Sequence, residues 1–320
     1  MNDVLVSLSK IGIVPVVKID SAKDAVPLAN ALIKGGLPCA EVTFRTEAAE
    51  ESIALMAKEF PEMLVGAGTV LTTDQVDRAV NAGAKFIVTP GFNAKIVKYC
   101  IDKNVPVTPG CPTTSDIEAA IELGLDVVKF FPAENLGGIS MIKALAAPYV
   151  GVKFMPTGGI NANNINSYLD CDKILACGGS WMVKDTLINA GKFDEIEALT
   201  KEAVANMLGF KLAHLAINCE DEKKAKSVAD MFTKAFNFTQ REIPVSYFCT
   251  SAIEVMKNNG RGTMGHIAVK TNYMDKAVAY LERNSIELDY DSAKYDDKGK
   301  MVFIYLKEEF GGFAVHLCLE

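Results

Sequence analysis

The sequence predicts an α/β protein: a (β/α)8 barrel over residues 1–210, followed by a smaller α+β domain of two βαβββ modules over 211–320. Three observations predict it. Short apolar runs alternate with helix-like stretches eight times between Ile11 and Cys177. The runs are apolar at successive positions, as strands buried on both faces are. After about residue 210 the rhythm changes to strand, helix and three short strands, and that order then repeats.

The eight runs are IGIVPVV (11–17), CAEVTF (39–44), MLVGAGT (63–69), KFIVT (85–89), VPVTP (105–109), DVVKFF (126–131), VKFMP (152–156) and KILAC (173–177). Amphipathic stretches lie between them. One, TTDQVDRAVNAGA (72–84), opens on the N-cap residues Thr72, Thr73 and Asp74 and stops at Gly83. Strand–helix alternation with doubly apolar strands implies a parallel sheet with helices outside. Eight repeats favour a closed barrel of the triosephosphate-isomerase type. A doubly wound open sheet is disfavoured because no GxGxxG follows the first run.

The second part reads as strand 213–219, helix 221–235, and strands near 236–241, 245–249 and 252–256. It then reads as strand 265–270, helix 272–283, and strands near 286–290, 300–306 and 312–319. The boundary falls at 209–212 with almost no linker.

The net charge is −7, and neither part has a basic excess or a lysine/arginine stripe, which argues against nucleic acid and anionic membranes as partners. The N-terminus lacks a basic stretch ahead of a long apolar core, and no segment has eighteen uninterrupted apolar residues. Eight scattered cysteines without CxxC pairs fit reduced thiols. A cytoplasmic location is the expectation.

In such barrels the chemistry sits at the carboxyl ends of the strands. Those ends offer Glu41, Thr43 and Arg45, then Thr69 and Pro90, Lys129 on the sixth run, Gly158–Gly159 after the seventh, and Gly178, Gly179 and Ser180 after the eighth. Singly, each has an ordinary reading: Glu41 and Arg45 an ion pair, Thr69 a cap, the glycine pairs tight turns. Together they are more specific. Two glycine-rich strand ends form the usual barrel site for a phosphate or carboxylate. Lys129, in VVKFFP, is embedded among apolar residues. Loss of hydration there favours the neutral amine, which attacks carbonyls to form a Schiff base. The ordinary alternative is a lysine whose head pairs with Glu41.

AEVTFRT (40–46), VGAGTVL (65–71), TPG (89–91), KFFPAE (129–134), PTGGI (156–160) and GGSW (178–181), in this order, resemble the aldolase family acting on 2-keto-3-deoxy-6-phosphogluconate and 4-hydroxy-2-oxoglutarate. The resemblance implies a class I aldolase, usually a homotrimer, needing no metal and yielding pyruvate plus glyceraldehyde 3-phosphate or glyoxylate. It implies that Lys129 forms the imine and Glu41 shuttles protons. Arg45 and Thr69 would contact the pyruvate carboxylate, and Gly158, Gly159 and Ser180 the distal anion. Lys18 stands where some relatives carry arginine. The competing readings are an imine-forming lyase or decarboxylase on another 2-keto acid, and a phosphate-metabolite-binding protein without turnover.

The only histidines, His214, His266 and His316, lie in the second part, each on a predicted strand. His214 and His266 match between the repeats, and His316 corresponds to Glu254. Three histidines and a glutamate suit a divalent zinc, nickel, manganese or iron ion. Residues 212–320 resemble the vicinal-oxygen-chelate superfamily that includes glyoxalase I, which implies metal ligation at these positions. His316 departs from the glutamate often found at the last one. The module's role is left between a lyase, isomerase or epimerase and a non-catalytic binding or trimer-stabilising unit.

Overall fold

The computed structural model describes residues 1–319 and divides into two compact units, one from Met1 to Met207 and the other from Leu208 onward. The first is a curled parallel sheet clothed by helices. Its strands are β1 (Ile13–Val17), β2 (Cys39–Thr43), β3 (Leu64–Gly68), β4 (Ile87–Val88), β5 (Val107–Thr108), β6 (Val127–Phe130), β7 (Lys153–Pro156) and β8 (Cys177–Gly179). Six of them pair in the order β5-β4-β3-β2-β1-β8, and β6 pairs with β7. Isolated bridges Gly110↔Lys129 and Thr157↔Gly178 connect this two-stranded piece to both edges of the six-stranded one.

Strand burial follows from the apolar runs: every residue of β2 and β6 is buried, Glu41 and Lys129 included. The helices start where the sequence supplies caps. Thr72 accepts from the Gln75 amide at the head of the helix Thr73–Asn81, and Thr113 and Asp116 form a capping box on Thr114–Glu122. Gly83 follows with φ +101°, a conformation glycine adopts without penalty.

The eighth run departs from expectation. The strand is Cys177–Gly179 rather than 173–177, so Gly178 and Gly179 lie within it and only Ser180 follows. Close packing explains the shift. A Cβ on Gly178 would sit 2.4 Å from Thr157 Oγ1, and one on Gly179 would sit 1.9 Å from the Trp181 ring. Only residues without side chains let these neighbours approach.

The second unit is a mixed eight-stranded sheet. Its strands are β9 (Lys211–Ile217), β10 (Arg241–Ile243), β11 (Ser246–Phe248), β12 (Ile253–Met256), β13 (Gly265–Thr271), β14 (Leu288–Tyr295), β15 (Met301–Leu306) and β16 (Phe313–Leu319). Helices Glu222–Phe236 and Met274–Arg283 follow β9 and β13. The order β10-β11-β12-β9-β13-β16-β15-β14 sets two βαβββ halves side by side, joined by the antiparallel β9/β13 pair.

The strand expected near 236–241 lies later in the chain. The helix runs to Phe236, Asn237 caps it at φ 56°, and the strand begins at Arg241. Phe232, Phe236 and Phe238 pack together at that helix end. An apolar cluster, rather than a sheet, therefore absorbs the hydrophobic signal.

Candidate functional site

Glu41 lies in the middle of β2, in register with Val16 on one side and Gly66 on the other. Lys129 lies on β6, in register with Met155. The curl of the sheet brings the two together: Lys129 Nζ is 3.3 Å from Glu41 Oε1. The residues are 5% and 1% exposed, so the contact is dry. At 3.3 Å it is longer than a tight charge-assisted hydrogen bond. The other carboxylate oxygen, Glu41 Oε2, is buried without a hydrogen-bond partner among the described residues. The Phe131 ring lies 5.3 Å from Nζ.

The amine thus sits where the sequence pattern anticipated, with the pairing that was its ordinary alternative. The two readings are compatible. A carboxylate beside the amine holds it in place and offers an acceptor for its proton.

Gly68 makes room for this carboxylate. A Cβ there would sit 2.2 Å from Glu41 Oε1. Sequence reasoning passed over Gly68; its signal is the second glycine of GAGT, in register with Thr43. Thr69 follows with φ 56°, unusual for a β-branched residue and a mark of local strain at this strand end.

Arg45 lies just past β2 and donates from Nε to Thr43 Oγ1 at 3.0 Å, while Thr43 donates to Val17 O at 2.8 Å. Lys18, past β1, pairs with Asp20 at 2.9 Å. Gly158 and Gly159 follow β7 with φ +97° and +84°. The segment after Lys129 buttresses that turn. Ala133 N donates to Thr157 O, and Glu134 N to Gly158 O. Tyr168 donates its hydroxyl to Glu134 Oε1, and burial and this bond push its ionisation upward. Arg45, Thr69, Gly158, Gly159 and Ser180 share the carboxyl end of the sheet with the Lys129–Glu41 pair. None of them hydrogen-bonds to it among the described residues.

The family model for "KDPG and KHG aldolase" matches residues 4–199. The chain belongs to this aldolase family. It is accordingly a carbon–carbon lyase. The 2-dehydro-3-deoxy-phosphogluconate aldolase of Treponema pallidum is 49% identical over 204 residues, covering 64% of this chain and 97% of that protein. The enzyme of that name from Haemophilus influenzae is 50% identical over 203 residues, covering 63% and 96%. Among solved structures, the Legionella pneumophila KDPG aldolase, described with pyruvate captured as a covalent carbinolamine, is 36% identical with a TM-score of 0.60. It covers 62% of this chain and 97% of that one. The aldolase match ends before the second unit begins.

In that unit the three histidines converge: His214, His266 and His316 each place a ring nitrogen within 4.8 Å of the others. His214 Nε2 and His266 Nε2 are 3.1 Å apart, and Glu254 Oε2 lies 3.1 and 3.4 Å from them. Bonds of about 2.0–2.1 Å in a tetrahedral metal shell would separate the donors by about 3.3 Å, so the spacings among His214, His266 and Glu254 fit a single ion. Ser246 donates to Glu254 Oε1. Burial pushes the Glu254 carboxyl up, but hydrogen bonds from His214, His266 and Ser246 outweigh it and hold the group well below the usual range. Burial, reinforced by His266, lowers His316 to about 4 and keeps its imidazole neutral, the form that ligates metal.

The sequence singled out all four donors but not their setting. Ser246, Phe248, Phe303 and Tyr305 surround them, from strands whose alternation carries no mark of a site.

Proposed function

We propose that the first unit is an eight-stranded (β/α)8 barrel acting as a class I aldolase. Its substrates are 2-keto-3-deoxy-6-phosphogluconate, 4-hydroxy-2-oxoglutarate, or both. The observation that carries this reading is the dry contact between Lys129 Nζ and Glu41 Oε1 at the carboxyl end of a parallel sheet. Gly110↔Lys129 and Thr157↔Gly178 are the seams of the barrel.

In the proposed reaction Lys129 Nζ, having given a proton to Glu41, adds to C2 of the keto acid. Glu41 gives that proton to the carbinolamine hydroxyl, which leaves as water, so that a protonated imine and a free carboxylate remain. Glu41, directly or through water, takes the proton of the C4 hydroxyl. The C3–C4 bonding electrons flow into the imine, leaving an enamine and releasing an aldehyde. Glu41 returns its proton to C3, and water hydrolyses the imine to free pyruvate and the amine. The aldehyde is glyceraldehyde 3-phosphate or glyoxylate. Arg45 and Thr69 hold the pyruvate carboxylate. The glycine turn Gly158–Gly159 with Ser180 holds the distal anion through backbone N–H groups and a hydroxyl. A homotrimer is the expected assembly. The test is a panel of 2-keto-4-hydroxy acids, phosphorylated and not, followed by pyruvate release. Release from neither class would refute the reading.

For the second unit we propose a vicinal-oxygen-chelate module in which His214, His266, His316 and Glu254 hold one divalent metal. The donor spacings support it. Such an ion would supply a Lewis acid for a chelating carbonyl or hydroxyl. Around it, Ser246 fixes the Glu254 carboxylate, and the neutral His316 presents a lone pair. Metal analysis of protein purified without chelator, beside Glu254→Ala, tests this. No metal in either protein would leave the cluster a hydrogen-bonded core.

A further inference from the structure

One face of the second unit's sheet carries all of its candidate chemistry. The register shows why. Arg241 stands opposite Phe248 across β10/β11, and Phe248 opposite Glu254 across β11/β12. At the other end Tyr305 stands opposite His316, and Lys294 opposite Phe303. Directly opposed residues share a face, as do residues two apart on a strand. The other face is packed by helix Glu222–Phe236 through Ala225, Ala229, Tyr247 and Val255.

On the donors' face the groups form two rings around them. The inner ring is aromatic. Phe248 lies 5.6 Å from the His214 ring, and Phe303 and Tyr305 lie 4.4 and 5.0 Å from the His316 ring. The outer ring is cationic, with one charge on each aromatic. Arg241 is 4.8 Å from the Phe248 centroid, Arg261 4.6 Å from Tyr305, and Lys294 4.8 Å from Phe303. Each cation is therefore within about 10 Å of an imidazole centre, the sum of two such steps. Asp289 pairs with Arg261, but Arg241 and Lys294 have no ion-pair partner among the described residues.

We propose that this face binds a small dianion: a 2-keto or 2-hydroxy acid that chelates the metal at one end and carries a second carboxylate or phosphate at the other. The proposal rests on the metal reading above. A divalent ion held by three imidazoles and one carboxylate leaves a positive centre, and two unpaired cations, Arg241 and Lys294, stand one aromatic ring away. Aromatic walls exclude water between the two and sharpen the field of the outer charges. A chelating acid whose second anion lies four or five bonds away spans about 6 Å, enough to reach from the donors toward the outer ring. A neutral or singly charged hydroxyketone would leave that ring unused. The same chemical class is proposed for the barrel's substrate, so the two units would handle related acids.

The test uses the full-length protein loaded with Co2+, whose visible spectrum reports the ion's own ligand shell and is therefore blind to acid bound in the barrel. 2-Oxoglutarate is titrated against pyruvate as the singly charged control. The expected half-saturation for 2-oxoglutarate is about tenfold below that for pyruvate. The gap should shrink to under threefold in Arg241→Gln/Lys294→Gln and as salt is raised. Equal half-saturation for the two acids, or a gap that survives the double substitution, would overturn the proposal. Absence of a cobalt spectrum that depends on His266 would overturn the metal reading and this inference with it; a spectrum without discrimination overturns this inference alone.

Discussion

The two units bury charge in opposite ways. In the first unit, one cation and one carboxylate face each other at 3.3 Å among apolar residues, with a spare carboxylate oxygen beside them. In the second unit, three imidazoles and a carboxylate converge with no resident cation among the four. The first arrangement contains its own proton donor and acceptor, and so suits covalent chemistry by the chain itself. The second gathers imidazole nitrogens and one carboxylate, and so suits a metal. Burial alone says nothing about function; what the buried group faces does.

The largest expected effect separates the two directly. Lys129→Met should lower pyruvate release by at least about 10⁴-fold, because no second amine pairs with Glu41 among the described residues, while metal content per chain stays unchanged. Next, Glu41→Gln should lower kcat by about 10²–10⁴-fold, the range of a positioned acid–base group, while borohydride still traps pyruvate on the chain. A smaller loss follows from Gly68→Ala. The new Cβ would displace Glu41 Oε1, which it would otherwise approach to 2.2 Å. An ångström of misplacement costs about 10²-fold in kcat/KM.

The smallest effect lies in the second unit. His316 is lowered to about 4 in the fold, against about 6.5 unfolded. Protonation therefore favours the unfolded chain. The stabilisation from neutral His316 is complete above pH 6.5 and is lost as pH falls toward 4. In metal-free protein, hydrogen exchange along β16 should accelerate over that window, and His316→Asn should flatten the dependence.

Much of this was legible in the sequence because the signals were local. Doubly apolar runs mark parallel strands, and a lysine within such a run is conspicuous whatever the fold. The two βαβββ modules were visible as an order of elements, and the histidines stood out by their scarcity. What was hidden depends on packing across the sheet. The role of Gly68 is a distance to Glu41, a contact that requires the strand register. The limits of β8 differ from the sequence expectation because close approach by Thr157 and Trp181, not hydrophobicity, puts its glycines in the sheet. The strand expected near 236–241 is displaced to Arg241–Ile243 for a related reason: phenylalanines at a helix end look like a strand when only their apolar character is read.

The central claim is that Lys129 carries the chemistry, and one measurement addresses it most directly. Protein incubated with pyruvate and borohydride, digested and mapped by mass, should carry one pyruvyl-derived adduct per chain on Lys129, and none when pyruvate is omitted. Wild-type protein that cleaves a 2-keto-4-hydroxy acid while remaining unlabelled, or labelled at another lysine, would contradict it.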